Sequence, residues 1–233
     1  MIKAVIFDFD DTITDNRLLD FESFNLICKK FNIKNPLSLN RLIKLRVENK
    51  TAKNIILFIK RFSKNNFSTE HFLKERSSFL LSIDSNNFLK LKPGTFETIQ
   101  KLKKEKILIC LCSVRQNKKI VIDFLNRHKL NNIFDLILCG SDIEKNIDIT
   151  NSDNRILLKA SFLKKIIQKY KINSNNTIFI GNSHEDYIAS TEHKIIFLKF
   201  DNDYLPKDNF YYSFNICNMK TVNKIIFELN KYD

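Results

Sequence analysis

The chain has 233 residues, of which 43% are hydrophobic and 28% are charged, a composition typical of a folded globular protein. Its five cysteines are an odd number without a CxxC pair, which argues against a zinc site and favours a reducing, cytoplasmic location. The first apolar run stops at Asp8, too short for a signal peptide, and no run is long enough to cross a membrane. This length allows one large domain or a domain with an insertion.

The net charge of +13 is unevenly distributed along the chain. Residues 15–90 carry 15 Lys and Arg against 7 Asp and Glu, a net charge of +8, which leaves +5 for the remainder. A basic surface can steer an anionic substrate or bind nucleic acid. Because no block of five like charges occurs, nucleic acid is not expected to be the principal partner.

The first predicted strand, Lys3–Phe7, leads directly into three carboxylates, Asp8, Asp10 and Asp11. Its apolar run is typical of a buried parallel strand, and ligands bind beyond the carboxyl ends of such strands. Asp8 and Asp10 are two residues apart, so an extended backbone would point both side chains to one side. Paired carboxylates remain ionised together beside a cation, and Mg²⁺ prefers oxygen ligands. The sequence therefore predicts a magnesium site here.

The segment 15–90 shows helical periodicity without a convincing strand signal. Asn35-Pro36 and Ser68-Thr69 are plausible helix starts. We expect an all-helical insertion between the first strand and the rest of the sheet, with helices near 17–32, 37–49, 51–64 and 69–82.

Strand and helix patterns alternate after residue 90, which is typical of a parallel sheet with helices on both faces. Pro93-Gly94-Thr95 indicates the start of a helix. The predicted strands are Ile107–Cys112, Phe134–Cys139, Thr177–Ile180 and Ile195–Leu198. The predicted helices lie near 95–105, 115–129, 154–170 and 219–231.

Polar side chains follow two of these later strands. Ser113 offers a hydroxyl for a phosphate oxygen, and a helix starting near Arg115 would add backbone N–H groups. The strand Thr177–Ile180 is followed by Gly181–Asp186, which supplies an amide oxygen at Asn182 and carboxylates at Glu185 and Asp186. Lys159, in the preceding predicted helix, could neutralise both an acidic nucleophile and a phosphate.

In their order and spacing these residues resemble the four motifs of the haloacid dehalogenase superfamily, over the whole chain length. The matches are Asp8-Phe9-Asp10-Asp11-Thr12 to the DxDxT first motif, Ser113 to the second, Lys159 to the third, and Gly181–Asp186 to the GDxxxD fourth motif.

The resemblance implies an α/β fold with a Rossmann-like core from 1–14 and 91–233 and an all-helical cap of the C1 type from 15–90. It also implies phosphoryl transfer, in which Asp8 attacks phosphorus and Asp10 serves as general acid and base. Thr12, Ser113 and Lys159 would bind the substrate. Mg²⁺ would be held by Asp8, the backbone carbonyl of Asp10, Asn182 and Asp186.

Two positions refine this expectation. Asn182 stands where the family pattern has an acid, so either metal binding is weaker or Asp186 moves into direct contact with the ion. Asp10 favours phosphate chemistry over carbon–halogen cleavage, because the dehalogenases that the family is named for lack this second Asp.

The favoured function is a cytoplasmic Mg²⁺-dependent phosphatase acting on a small phosphorylated metabolite. The alternatives are a phosphomutase of the same fold, a phosphatase for nucleic-acid ends, and a catalytically degenerate member that binds a phosphorylated ligand or partner. His184 is expected to be a solvated loop residue, with contact to the substrate as the alternative. Arg115 either braces the phosphate loop or pairs with a carboxylate. Neither the substrate nor the oligomeric state is indicated.

Overall fold

The computed structural model of the chain describes residues 1–63, 66–143, 148–149, 151–207, 210, 212 and 214–231. The chain divides into two compact units. The first comprises 1–14, 91–201 and 210–233, and the second comprises 15–90 and 202–209. The segment 202–209, which the sequence analysis grouped with the core, therefore clusters with the helical insertion.

The first unit is built on a six-stranded sheet in the order β5-β4-β1-β6-β7-β8, in which every neighbouring pair is parallel. A separate two-stranded sheet pairs β2 with β3. The strands are β1 (Ala4–Asp8), β2 (Thr14–Asp15), β3 (Lys90–Leu91), β4 (Leu108–Ser113), β5 (Leu136–Cys139), β6 (Thr177–Gly181), β7 (Ile196–Phe200) and β8 (Asn215–Ile216).

Strand β1 lies inside the sheet, between β4 and β6, and all five of its residues are buried. Such a position requires apolar side chains on both faces of the strand, as its sequence supplies. Asp8 pairs with Cys112 of β4, and Phe7 pairs with Ile180 of β6. This register brings the carboxyl ends of three neighbouring strands together at one edge.

Helices account for most of the remaining structure. In the second unit they are α1 (Arg17–Lys30), α2 (Leu39–Val47), α3 (Ala52–Phe62) and α4 (Thr69–Leu81). In the first unit they are α5 (Thr95–Lys104), α6 (Lys118–Arg127), α7 (Ser152–Tyr170), α8 (His184–Glu192) and α9 (Lys220–Lys231). No helix among these described residues is long and apolar enough to span a membrane.

Each unit has its own hydrophobic core. In the first unit, Phe162 and Ile166 of α7 cluster with Phe179 of β6, all without measurable exposure. In the second unit, Phe24 of α1 and Phe72 of α4 belong to a separate fully buried cluster. Burial of such aromatic and aliphatic side chains is the main favourable term for folding.

The predicted fold class is confirmed: a mostly parallel sheet is flanked by helices, with a helical insertion after the first strand. Some boundaries differ. Helix α6 begins at Lys118 and not near Arg115, because Asn117 caps it by accepting a hydrogen bond from the Lys119 amide. The short strands β2, β3 and β8 were not predicted. The last residue of the predicted helix 51–64 lies outside the described residues.

Candidate active site

Asp8 is the last residue of β1, and the chain turns sharply through Phe9–Ile13. Asp11 adopts a left-handed conformation with φ of 55°. The Thr14 hydroxyl fixes the turn by donating to the Phe9 carbonyl at 2.9 Å and accepting from the Asp11 amide at 3.3 Å. Because the strand ends at Asp8, this turn and not strand alternation determines where Asp10 lies, contrary to the sequence analysis.

Lys159 of α7 lies between two carboxylates. Its ammonium nitrogen is 3.4 Å from Oδ1 of Asp8 and also forms an ion pair with Oδ1 of Asp186. All three side chains are buried: the exposed fractions are 3% for Asp8, 5% for Lys159 and 0% for Asp186. The structure therefore brings together residues of the first, third and fourth predicted motifs.

Burial is the largest single influence on the pKa values of Asp8 and Lys159. Burial raises the pKa of Asp8 well above its usual value; Lys159 opposes this, and the carboxylates Asp186 and Asp10 add to it. Burial alone would lower the pKa of Lys159, but Asp186 and Asp8 outweigh it, so this pKa is raised. Lys159 is therefore a permanent cation beside Asp8.

Asp186 is held by a capping box at the start of α8. Its Oδ2 accepts hydrogen bonds from the Ser183 amide at 2.9 Å and the Ser183 hydroxyl at 2.6 Å, while its own amide donates to that hydroxyl at 3.2 Å. A Cβ on Gly181 would lie 2.5 Å from Asp186 Cγ, so glycine permits this close approach. Both Asp186 oxygens are thus engaged, by Ser183 and Lys159. The Ser-x-x-Asp spacing was the signal for this cap, which the sequence analysis missed.

Thr12 connects the first and fourth motifs. Its hydroxyl oxygen is 3.2 Å from Asp8 Oδ2 and 3.4 Å from Asn182 Oδ1. Since one hydroxyl has one proton, it donates to only one of these oxygens at a time. Two acceptor oxygens, one charged and one an amide carbonyl, therefore converge at this point.

Ser113, the last residue of β4, is buried next to the position of Asp8 in the sheet. Its hydroxyl accepts a hydrogen bond from the Arg115 amide at 3.2 Å. The Arg115 side chain forms an ion pair with Asp10, with Nη2 2.6 Å from Oδ1 and Nε 2.9 Å from Oδ2. Of the two roles considered for the Arg115 side chain, the structure therefore favours pairing with a carboxylate.

Two other residues of the fourth-motif segment contact groups outside this cluster. Glu185 pairs with Arg155 and accepts a hydrogen bond from the Ser152 hydroxyl at 2.8 Å. His184 stacks on Phe210, and its Nδ1 is 3.3 Å from the Tyr212 hydroxyl. His184 is therefore packed against aromatic side chains, and the prediction of a solvated loop histidine was wrong.

The donor atoms at this edge of the sheet suit a hard cation. Within the described part of the chain, no three His, Cys, Asp or Glu side chains form a metal-binding group. The oxygens of Asp8 and Asn182 nevertheless converge at Thr12. Burial, with the nearby carboxylates Asp186 and Asp10, raises the pKa of Asp8, and a bound cation would oppose this effect. Carboxylate and amide oxygens are ligands that Mg²⁺ accepts. The residues present therefore fit a magnesium ion with a small protein ligand set.

The sequence matches the model of the haloacid dehalogenase-like hydrolase family over residues 5–199. The chain belongs to this family, as the resemblance of the four motifs predicted. No curated protein matches it.

Solved structures of the same superfamily share its fold across nearly the whole chain. A HAD-superfamily hydrolase of subfamily IA from Geobacter sulfurreducens has a TM-score of 0.70 at 14% identity, covering 97% of this chain and 96% of that one. A predicted phosphoglycolate phosphatase from Haemophilus somnus has a TM-score of 0.69 at 16% identity, covering 96% and 97%. A candidate beta-phosphoglucomutase from Thermotoga maritima has a TM-score of 0.65 at 17% identity, covering 98% and 100%.

Proposed function

We propose that the protein is a Mg²⁺-dependent phosphatase that hydrolyses a small phosphomonoester through an aspartyl-phosphate on Asp8. The observation that carries this proposal is the buried pair of Asp8 and Lys159, 3.4 Å apart at the carboxyl end of a central strand. A carboxylate that attacks a phosphate dianion must overcome charge repulsion, and a fixed ammonium group beside it reduces that repulsion. Membership of a hydrolase family supports the same assignment.

In the first half of the proposed reaction, a carboxylate oxygen of Asp8 forms a bond to phosphorus while the bond from phosphorus to the leaving oxygen breaks. Protonated Asp10 gives its proton to the leaving alkoxide, which departs as an alcohol. Ser113 and Lys159 bind the oxygens of the transferring group. Thr12, for which the resemblance implied substrate binding, instead orients Asp8 through its hydroxyl.

In the second half, a water molecule attacks the phosphorus of the aspartyl-phosphate and gives a proton to Asp10. The bond between phosphorus and the Asp8 oxygen breaks, which releases inorganic phosphate and restores the carboxylate. Asp10 is then protonated for the next cycle. The balance is one phosphomonoester and one water converted to one alcohol and one phosphate.

Magnesium would supply charge neutralisation at the transferring phosphoryl group. We propose Asp8, the backbone carbonyl of Asp10 and Asn182 as its protein ligands. Asp186, which the sequence analysis included among the ligands, supports the site by holding Lys159, since both of its oxygens are engaged.

We propose that the helical unit of residues 15–90 acts as a cap that selects the leaving group and excludes bulk water, as mobile covers do in many enzymes. Its basic charge favours anionic substrates over neutral ones. A cytoplasmic location remains our proposal, supported by five cysteines that are all free thiols.

The test is release of inorganic phosphate from a panel of phosphomonoesters, with and without Mg²⁺, by the wild type and by Asp8→Asn. We expect turnover that is lost on chelation and absent in the variant. Conversion of a sugar phosphate to its isomer without phosphate release would indicate the phosphomutase alternative. Binding of phosphorylated compounds without any turnover would contradict both and indicate a degenerate binding protein.

A further inference from the structure

Asp10 forms a bidentate ion pair with Arg115, which lies 105 residues further along the chain. Arg115 Nη2 is 2.6 Å from Oδ1 of Asp10, and Arg115 Nε is 3.0 and 2.9 Å from the two carboxylate oxygens. Only 14% of the Arg115 side chain is exposed, against 32% for Asp10. A planar guanidinium fork that contacts both oxygens fixes the direction of a carboxylate as well as its charge.

Arg115 is itself fixed from several sides. Its amide donates to the Ser113 hydroxyl at 3.2 Å, and its carbonyl accepts from the Gly140 amide at 2.9 Å. Its guanidinium lies over the ring of Phe9, 5.4 Å from the centroid. The backbone around Arg115 is therefore tied to the ends of both β4 and β5, and its side chain is packed against the turn that carries Asp10.

Gly140 makes this close packing possible. A Cβ at position 140 would lie 2.6 Å from the Val114 carbonyl and 2.5 Å from Gln116 Nε2. Any side chain there would push away the loop that carries Arg115. Gly140 therefore accommodates the loop after β4.

We propose that Arg115 is the positioning residue for the general acid and base, because its guanidinium group fixes the direction of the Asp10 side chain. Arg115 contacts both oxygens of the ionised carboxylate; when Asp10 carries the proton, one oxygen still accepts from Arg115 and the other holds the proton for the leaving oxygen. This inference rests on the proposed phosphatase function, in which Asp10 transfers the proton to the leaving oxygen. Arg115 acts through Asp10 and need not touch the substrate.

A positioning role has a consequence that a structural role lacks. Protonation matters greatly for an alkoxide leaving group and little for a stable anion such as p-nitrophenolate. Loss of Asp10 alignment should therefore reduce turnover of alkyl phosphates much more than turnover of p-nitrophenyl phosphate. A general loss of folding would reduce both equally.

The experiment compares kcat/KM for an alkyl phosphate and for p-nitrophenyl phosphate in the wild type, Arg115→Gln and Arg115→Lys. The ratio kcat/KM is used because it reports the steps up to departure of the leaving group. Lys118→Gln is the matched control, because Lys118 follows the same loop and its ammonium group pairs with Asp142 and with the Ile137 carbonyl. The inhibition constant of inorganic phosphate is measured for each protein.

We expect Arg115→Gln to lose about 100-fold in kcat/KM for the alkyl phosphate and less than about 10-fold for p-nitrophenyl phosphate. Arg115→Lys should show the same pattern with a smaller loss, because lysine keeps the charge without the fork. In Lys118→Gln, the value of kcat/KM for the alkyl phosphate relative to that for p-nitrophenyl phosphate should be the same as in the wild type. The inhibition constant of phosphate should stay within about threefold of the wild type in every variant.

Two results would overturn the positioning role while leaving the proposed function intact. One is an equal loss, or no loss, for both substrates in Arg115→Gln. The other is a large rise in the inhibition constant of phosphate, which would make Arg115 a direct phosphate ligand. Absence of turnover in the wild type, by contrast, would contradict the proposed function and the inference together.

Discussion

Lys159 Nζ lies 3.4 Å from Asp8 Oδ1 and also forms an ion pair with Asp186. One buried ammonium group is therefore the counter-charge of two buried carboxylates. The three side chains together carry one more negative charge than positive when all are ionised. Because burial disfavours an ionised carboxylate, this excess opposes folding and attracts cations. In the proposed function, this cost in stability prepares the site for a metal ion and a phosphoryl group.

Replacing Asp8 by Asn should stabilise the protein while it abolishes turnover. The substitution removes the excess buried charge and leaves Lys159 paired with Asp186. We expect a gain of about 1 kcal/mol in the free energy of unfolding in the presence of EDTA, measured by urea denaturation. A loss of stability would show that ionised Asp8 contributes to the fold.

Replacing Lys159 by Met should have the opposite effect, because it leaves Asp8 and Asp186 buried without their cation. We expect a loss of about 3 kcal/mol in the free energy of unfolding. The double variant with Asp8→Asn should recover part of that loss. Lys165→Met, at an exposed position of the same helix, is the control and should change stability by less than about 0.5 kcal/mol. Equal effects of the two lysine substitutions would contradict the proposed charge balance.

The substitution Asn182→Asp restores the acid that the family pattern has at this position. It should strengthen Mg²⁺ binding and lower the free energy of unfolding of the metal-free protein. The new carboxylate would face Asp8 across the Thr12 hydroxyl, where the two acceptor oxygens already converge. We expect about 10-fold tighter Mg²⁺ binding by calorimetry, because ligand charge raises the affinity of such sites. Asn175→Asp adds the same charge at an exposed position and should leave the affinity unchanged. Equal affinity of Asn182→Asp and wild type would exclude residue 182 as a ligand.

Stability in acid should depend on Asp20 of the helical unit. Its carboxylate accepts hydrogen bonds from Arg46 Nε at 2.7 Å and from Arg76 Nη2 at 2.5 Å. Burial would raise the pKa of Asp20, but the two guanidinium groups outweigh it and hold this pKa below its usual value. The stabilisation is therefore complete above the pKa of the unfolded chain, about 3.9, and is lost as the pH falls through the lower folded value.

We expect Asp20→Asn to reduce the free energy of unfolding by about 2 kcal/mol at pH 7, because it leaves two partly buried guanidinium groups without a counter-charge. Urea denaturation at a series of pH values should show the difference from wild type shrinking below about pH 4. Asp84→Asn, at an exposed position of the same unit, serves as the control. A difference that does not depend on pH would contradict the ion-pair explanation.

The central strands could be predicted because their signal is local and strong. Strand β1 is an uninterrupted apolar run, as a strand buried on both faces must be. Strand β8 has only two residues, Asn215 and Ile216, which is too short for any periodicity to be visible. The start of α6 was misplaced because Arg115 and Gln116 are themselves good helix formers, and the cap at Asn117 determines the boundary.

The proximity of the candidate site residues Asp8, Lys159 and Asp186 was predicted from the motifs, but their individual contacts were not, and their roles stay predictions. Four motifs in order identified Asp8, Ser113, Lys159 and the segment around Asn182. The ion pair of Arg115 with Asp10 joins positions 105 residues apart, and only the register of the folded sheet brings them together. The cap of Asp186 by Ser183 is local and could have been recognised from its spacing.

The most direct test of the aspartyl-phosphate mechanism is identification of the phosphorylated residue during turnover. The protein is mixed with a phosphomonoester that it hydrolyses and Mg²⁺, quenched in acid within one turnover, and analysed by peptide mass spectrometry. The mechanism predicts one phosphoryl group on the peptide that contains Asp8, and none when the substrate is omitted. Turnover with no such adduct, or a phosphoryl group on any other residue, would contradict it.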